Sequence, residues 1–323
     1  MNIIVTIPVE PRHIDLLKAA CPEGKFYFTN GSPDDALLER AEVVIGSVAA
    51  ERLPLCKSLR FLQLSMAGSD TYAKIVPENV LIANASGAYG LAISEHMLAS
   101  ALMLMKKLHL YRDNQNENLW RDEGGVTSIE DARVLVVGLG DIGGEFAKRC
   151  TALGAYCIGI RRSLREMPAY IKEQYTLDAL DELLPAADVV ALALPQSDAS
   201  RGLFNEERLR LMKPGTILLN VGRGSAVDTD ALARVLNEGR ISASVDVTDP
   251  EPLPAEHPLW KCKNCLITPH ISGFYHLRQT HDRIVQIAAE NLRAYVNGET
   301  LSNLVDRSTG YRENLNRFSI SGK

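Results

Sequence analysis

The chain has 323 residues, 46% of them hydrophobic and 23% charged, with a formal net charge of -5. At roughly 100–200 residues per domain, that length predicts two domains, and the composition excludes a disordered chain. Mild acidity gives no reason to expect nucleic acid or an anionic membrane surface as a partner. No apolar run reaches the ~18 residues that a membrane span needs. The opening Met1–Pro8 lacks a basic leader and reads as a β-strand. Cysteines at 21, 56, 150, 157, 262 and 265 are scattered, which predicts reduced thiols in a cytoplasmic protein.

Taken in chain order, the first hundred residues alternate short apolar runs with helical stretches. Ile3–Ile7 reads as a strand and Arg12–Ala20 as a helix, with further strands at Phe26–Thr29, Val43–Gly46, Phe61–Leu64 and Val80–Ala83. Strands alternating with helices predict a parallel sheet with crossover connections. A long helix is expected from Ile93 to Tyr111, then an exposed polar arm over Arg112–Ile129. A second α/β series opens with the buried-strand run Arg133-Val134-Leu135-Val136-Val137. It continues through strands at Tyr156–Ile160, Val189–Leu194, Thr216–Asn220, Ala243–Val247 and Cys265–Thr268. Helices are expected at Gly144–Leu153, Glu206–Leu211 and Thr229–Glu238, and a last long one at His276–Asn297. The pattern predicts an α/β protein of two Rossmann-like, doubly wound parallel-sheet domains, joined by two crossing helices, with an active-site cleft between them.

The sequence Gly138-Leu139-Gly140-Asp141-Ile142-Gly143 directly follows a strand and opens a helix. A GxGxxG pattern alone is weak, but this context is that of a dinucleotide turn. Gly138 permits the tight turn, Gly140 lets the backbone approach a pyrophosphate, and Gly143 lets helix and strand pack closely. The helix N-terminus supplies N–H groups and positive dipole to the phosphates. About 20 residues on, NAD sites carry Asp or Glu for the ribose hydroxyls. This chain reads Ile160-Arg161-Arg162-Ser163 instead. Guanidinium groups bind a 2′-phosphate that a carboxylate would repel. NADP(H) is therefore expected over NAD(H), with Arg161, Arg162 and Ser163 at the phosphate; the bland reading of either Arg is a solvated strand-end charge.

Three later strand ends carry unusual residues. Arg223 stands between glycines in Asn220-Val221-Gly222-Arg223-Gly224, and Glu251 between prolines in Asp246–Pro252. His270 follows a proline in Thr268–Gly273. Open parallel sheets place ligands at such carboxyl ends. Arg binds a carboxylate at two points, His donates a proton to a developing alkoxide, and a carboxylate holds the imidazole. Together the three supply what reduction of a keto acid needs.

Over nearly its full length the chain resembles the D-isomer-specific 2-hydroxyacid dehydrogenase family. The signatures are Ser65–Asp70, Asn84–Gly87 leading to Ser94-Glu95-His96, Gly138–Gly143, and Leu194-Pro195 to Gly202-Leu203. They continue with Met212–Gly215, Asn220–Gly224, Asp246–Pro252 and Pro269–Gly273. The resemblance implies a flavodoxin-like substrate domain of residues 1–98 plus 287–323 and a Rossmann domain of residues 99–286. It implies Arg223, Glu251 and His270 as the catalytic trio, with His270 the general acid. Backbone N–H groups of Ala67 and Gly68 would receive the substrate carboxylate. Asp141, Ile142, Leu194, Pro195, Val221 and Gly222 would line the cofactor, and Asp246 would meet the nicotinamide carboxamide. The implied product is the D-2-hydroxy acid, and members are commonly homodimers. Many members carry Asp where this chain has Arg161, so this segment is closer to the NADPH-linked glyoxylate and hydroxypyruvate reductases.

Other readings are weaker. Cys262-Lys263-Asn264-Cys265 has zinc-knuckle spacing but no second pair, and reads as two small residues entering a strand. Glu95 and His96 read as helix-start or inter-domain hydrogen-bonding groups, while Met66, Tyr89, Phe274, Tyr275 and His276 are candidates for shaping a pocket. Glu251 disfavours formate oxidation, where related enzymes place Gln. Phosphite oxidation on the same scaffold, or a dinucleotide-sensing corepressor-like protein, are the alternatives. An L-lactate type is disfavoured because a whole α/β domain precedes the dinucleotide turn.

Overall fold

A computed structural model describes residues 1–312, which divide into two compact units, Met1–Tyr89 with Tyr275 onward, and Gly90–Phe274. The junctions thus fall at 89/90 and 274/275, where the expected domain limits of 98/99 and 286/287 would each have cut a helix.

The first unit begins with β1 (Asn2–Val5), α1 (Pro11–Ala20), β2 (Lys25–Phe28), α2 (Asp35–Arg40) and β3 (Val43–Ile45), followed by β4 (Phe61–Gln63), α3 (Asp70–Ile75) and β5 (Leu81–Ala83). The strands form one parallel sheet in the order β2-β1-β3-β4-β5. Ile3, Ile4, Val5, Val43, Val44 and Phe61 are fully buried, as strands covered on both faces require. The edge strand β2 is only half buried.

The second unit opens with α4 (Gly90–Met105) and α5 (Leu108–Asn116). These replace the single helix expected to Tyr111. Lys107 takes a left-handed conformation at the break, with φ 56°. The returning chain satisfies the helix end: Thr127 N–H donates to Met105 O at 3.1 Å, and Lys106 Nζ donates to Thr127 O at 2.7 Å. The first five residues of the expected arm belong to α5. Beyond them Trp120 stands fully exposed, with Leu119 and Val126 about half exposed.

There follow β6 (Arg133–Val137), α6 (Asp141–Ala152), β7 (Tyr156–Ile160), β8 (Glu173–Tyr175), α7 (Leu180–Leu183), β9 (Val189–Leu192) and α8 (Glu206–Leu211). The unit ends with β10 (Ile217–Asn220), α9 (Thr229–Asn237), β11 (Ser242–Val245) and β12 (Cys265–Ile267). All seven strands are parallel, in the order β12-β11-β10-β9-β6-β7-β8. The order reverses direction between β6 and β9, the topological switch point of a doubly wound sheet. Two parallel-sheet α/β domains are therefore present. Among the described residues no helix is long and apolar enough to cross a membrane.

The chain returns to the first unit through α10 (Arg278–Asn297) and the short pair β13 (Val305–Asp306) and β14 (Tyr311–Arg312). The buried Asn291 ties α10 down: Nδ2 donates to Gln63 Oε1 at 2.7 Å and to Ser302 O at 2.9 Å, and Oδ1 accepts from Ser302 N–H at 2.7 Å. Gln63 and Asn291 are each 1% exposed, so neither can turn to water. An Asn291→Ala variant strands these partners, and each buried unpaired polar group costs about 1–3 kcal/mol. The expected result is a clearly lower urea midpoint by circular dichroism; an unchanged midpoint would show that this tie contributes nothing.

Candidate active site

The carboxyl end of β6 runs into the glycine turn. Gly138 has φ +103°, and a Cβ there would lie 2.6 Å from Ala193 O. A Cβ on Gly143 would lie 2.2 Å from Gly138 O, so only glycine lets α6 start this close to the strand. A Cβ on Gly140 would meet nothing within 4 Å. Open space over the first turn of a 12-residue helix, whose leading N–H groups point outward, fits the pyrophosphate of a dinucleotide. Ile142 lies in that first turn, half buried. Asp141 does too, but its Oδ2 accepts from Gly90 N–H at 2.9 Å and so ties α6 to the start of α4.

At the end of β7, Arg161 is half buried while Arg162 and Ser163 are exposed. Two Arg161 donors are engaged within the protein, Nη2 with Leu139 O at 2.8 Å and Nη1 with Gln174 Oε1 at 3.4 Å. Burial first, then the nearby Arg165 charge, pushes the Arg161 guanidinium below its usual pKa. Leu194 and Pro195 follow β9, half buried, and Pro195 O accepts from Ser200 Oγ at 2.8 Å.

Val221, Gly222 and Arg223 follow β10 in a turn that the buried Asn220 braces from inside. Asn220 Oδ1 accepts from Gly222 N–H at 3.1 Å, and its Nδ2 donates to Arg223 O at 3.1 Å. Arg223 itself is half buried, and one of its Nη1 bonds reaches Gly222 O at 2.9 Å. The loop after β11 is pinned where Thr229 Oγ1 donates to Asp249 O at 2.8 Å. From it Glu251 Oε1 reaches His270 Nδ1 at 2.7 Å. Both side chains are roughly half exposed, at 42% and 51%. A carboxylate that accepts from Nδ1–H fixes the ring and leaves Nε2 as the nitrogen open to give or take a proton.

His270 has φ 52°, the left-handed region that a side chain adopts only at a cost of order 1–3 kcal/mol. Asp246, 2% exposed, sits beneath it. Its Oδ1 accepts from Thr268 Oγ1 at 2.5 Å and from Ile271 N–H at 3.0 Å. Its Oδ2 accepts from Ser272 N–H at 3.1 Å and Ser272 Oγ at 2.5 Å. Burial works to raise the Asp246 pKa, but the bonds from Ser272, Thr268 and the two N–H groups outweigh it and hold the carboxyl below its usual range. Four donors fill the acceptor sites of a carboxylate. Asp246, expected at the nicotinamide carboxamide, lies at the carboxyl end of β11 with these four donors from its own loop. His96 Nε2 lies 3.4 Å from Thr268 Oγ1, and Glu95 pairs with Arg149 of α6 at 4.0 Å, so both serve bonds within this unit.

In the first unit, the loop after β4 holds Ala67 and Gly68, both half buried. No hydrogen bond joins either N–H to another described residue. The buried Asn84 donates to Ala67 O at 2.9 Å and to Ser69 Oγ at 3.3 Å. Tyr89 donates to Ser65 O at 2.5 Å, and burial pushes its hydroxyl well above the usual tyrosine range. Tyr89 therefore supports this loop from behind. Asn84, Asn220, Thr268 and Ser272 carried no individual role from sequence reasoning; short polar residues at strand ends were the only signal.

A dinucleotide turn, a half-exposed imidazole held by a carboxylate, and an arginine on the neighbouring strand end define a nicotinamide-linked oxidoreductase. Residues 98–272 match the family model of D-isomer specific 2-hydroxyacid dehydrogenase, NAD binding domain. The crystal structure of a D-isomer specific 2-hydroxyacid dehydrogenase family protein from Aeromonas salmonicida is similar at TM-score 0.84 and 30% identity, covering 95% of this chain and 99% of that one. A D-isomer specific 2-hydroxyacid dehydrogenase from Xanthobacter autotrophicus Py2, in complex with NADPH and MES, is similar at TM-score 0.80 and 26% identity, covering 96% and 99%. A glyoxylate reductase of Aeropyrum pernix is 40% identical over 174 residues, which span 53% of this chain and 51% of that protein. The chain belongs to the D-isomer specific 2-hydroxyacid dehydrogenase family, oxidoreductases that act on CH–OH donors with a nicotinamide cofactor.

The glycine turn carries a direct test. Gly143→Ala forces a Cβ against Gly138 O, so the turn must open. Fluorescence titration should show NADPH and NADH affinity both falling more than tenfold; near-native affinity would remove the turn from the cofactor site.

Proposed function

We propose that this chain reduces a small 2-keto acid to its D-2-hydroxy acid, and runs the reverse reaction, with NADP(H) preferred over NAD(H). The observation that carries the reading is the 2.7 Å contact between Glu251 and His270, one strand position from Arg223. A nicotinamide cofactor held along Gly138–Gly143, Leu194, Pro195, Val221 and Gly222 supplies the hydride. The remaining work falls to the chain. Arg223 binds the keto-acid carboxylate and polarises the carbonyl, and the N–H groups of Ala67 and Gly68 are assigned to the same carboxylate. His270, held through Glu251, delivers a proton from Nε2 to the carbonyl oxygen. In the oxidative direction the same nitrogen takes the proton back.

The cofactor preference rests on the arginines after β7. Arg161 is held below its usual pKa first by burial and then by Arg165, and an anion bound beside it would favour its charged form. With Arg161 partly engaged at Leu139 O, the exposed Arg162 and Ser163 are the groups assigned to grip a 2′-phosphate. Glyoxylate and hydroxypyruvate are the first substrates to try, glyoxylate being what the Aeropyrum relative's name specifies. In an absorbance assay at 340 nm, NADPH should give the higher kcat/KM, and Arg162→Gln should cut it about tenfold while leaving NADH unaffected. His270→Gln should lower turnover with either cofactor by about 10²–10⁴. Equal use of both cofactors by the native chain would sink the preference, and near-native turnover of His270→Gln would sink the mechanism.

The same reading includes a homodimer. Trp120, Leu119, Val126 and Leu108 expose apolar surface on α5 and the arm after it, and a second copy would cover it. Light scattering should then give twice the 35.5 kDa chain mass, and Trp120→Arg should shift the species toward the single chain. A native protein that scatters as 35.5 kDa at micromolar concentration would refute the dimer.

A further inference from the structure

The N–H groups of Ala67 and Gly68 are aimed by what holds the carbonyls beside them. A peptide unit is planar and trans, so fixing its C=O from one side sends its N–H to the other. Met66 O accepts from Ala85 N–H at 3.0 Å, which turns the Ala67 N–H away from the segment after β5. Ala67 O accepts from Asn84 Nδ2 at 2.9 Å, which does the same for the Gly68 N–H. The Asn84 amide is held in turn. Its Oδ1 accepts from Ser86 N–H at 3.1 Å, and its Nδ2 also donates to Ser69 Oγ at 3.3 Å. Ser69, 1% exposed, donates through its own hydroxyl to Gly310 O at 2.9 Å, 241 positions later in the sequence. The series of bonds thus ends on the turn between β13 and β14.

That turn is shaped and anchored for this contact. Asp306 O accepts from Gly310 N–H at 2.8 Å, and Asp306 Oδ1 accepts from Ser308 N–H at 2.8 Å. Gly310 has φ +66°, and a Cβ there would lie 3.0 Å from Asp70 Cα, so a side chain would push the turn off the start of α3. Beyond the other end of α3, Arg307 donates to Val76 O at 2.6 Å, Pro77 O at 2.8 Å and Val80 O at 2.5 Å. A cation on carbonyls past a helix C-terminus satisfies groups the helix leaves open, and here it fastens the pair to the fold. Asn303, just before β13, adds two bonds to the segment that carries Asn84. Its O accepts from Asn84 N–H at 3.1 Å, and its Nδ2 donates to Ser86 O at 2.7 Å.

We propose that the C-terminal pair β13–β14 is part of the substrate-binding apparatus. Gly310 and Ser69 act as positioning residues: through them the pair sets the Asn84 amide, and so the direction of the Ala67 and Gly68 N–H groups that receive the substrate carboxylate. Ser69 is the relay, bonded to Asn84 on one side and to the turn on the other. The inference rests on the keto-acid reading and on those two N–H groups as its carboxylate site.

The test separates positioning from plain stability by splitting KM from kcat and keto-acid binding from cofactor binding. Ser69→Ala removes the relay hydroxyl, Gly310→Ala displaces the turn, and Ser69→Thr keeps the hydroxyl. The binding probe is oxamate, an unreactive mimic of a 2-keto acid, titrated in the presence of NADPH. For both alanine variants the keto-acid KM and the oxamate dissociation constant should rise about tenfold, with kcat lowered no more than about threefold and NADPH affinity within about twofold of native. Ser69→Thr should recover most of the oxamate affinity. If Ser69→Ala does not fold by circular dichroism, Gly310→Ala decides. Native KM and oxamate affinity in the folded variants, beside a native chain that reduces keto acids, overturn the relay and leave the proposed function standing. NADPH affinity that falls in step with oxamate affinity marks a general loss of structure and overturns the relay as well. A native chain that neither binds oxamate nor reduces a keto acid overturns the proposed function and this inference with it.

Discussion

Parallel pairing of the seven strands in the second unit fixes almost everything that matters in it. Because every strand points the same way, all the segments that follow strands emerge along one edge, about 4.8 Å apart from strand to strand. Reading along that edge gives Arg161 after β7, Gly138 after β6, Leu194 after β9, Arg223 after β10, Glu251 after β11 and His270 after β12. Positive charge and the glycine turn lie toward one end of the row, and the imidazole and its carboxylate at the other. A chain that crosses over a sheet in this order sets these side chains out in a row along one edge.

What the sheet does not fix is the shape of each segment once it has left its strand. Irregular backbone leaves N–H and C=O groups without ladder partners, and they must be satisfied locally. Short amides and carboxylates at the strand ends do this repeatedly. Asn220 braces the turn of Arg223, Asn84 braces the loop of Ala67 and Gly68, and Asp246 braces the loop of His270. Each is nearly inaccessible to water, so the loss of any one leaves several polar groups stranded together. The loops of Arg223, Ala67, Gly68 and His270 thus depend on a layer of buried polar residues behind them.

The parts of this arrangement that could be read from sequence are those with a local signature. The run Arg133–Val137 followed by the glycine turn marked β6 and the start of α6 because apolar continuity and glycine spacing are visible in one window. Arg223, Glu251 and His270 stood out by their glycine and proline neighbours. Strand β8 was missed because Glu173-Gln174-Tyr175 is polar, as an edge strand can be. The break at Lys107 was missed because no glycine or proline marks it, and a contact with residues 20 positions later produces it. Arg161 was legible as a positive group at the right strand end, but not its bond to Leu139 O, 22 residues back. Asp246 and Ser272 lie 26 residues apart, and nothing in either neighbourhood announces the pairing. Chemistry announced by residue type was visible; support delivered through space was not.

The exposed arm has an optical consequence. The chain holds two tryptophans, Trp120 and Trp260, and both belong to the second unit. Trp120 is fully solvated in the single chain, so its emission is already that of an unfolded indole and changes only if something covers it. Trp260 is half exposed, with its indole N–H bonded to Pro254 O at 2.9 Å in the loop that carries Glu251. Tryptophan emission is therefore silent about the first unit. A blue shift from position 120 reports coverage of the arm, and a change at position 260 reports the loop that carries Glu251, so two single-tryptophan forms of the chain read the two events separately.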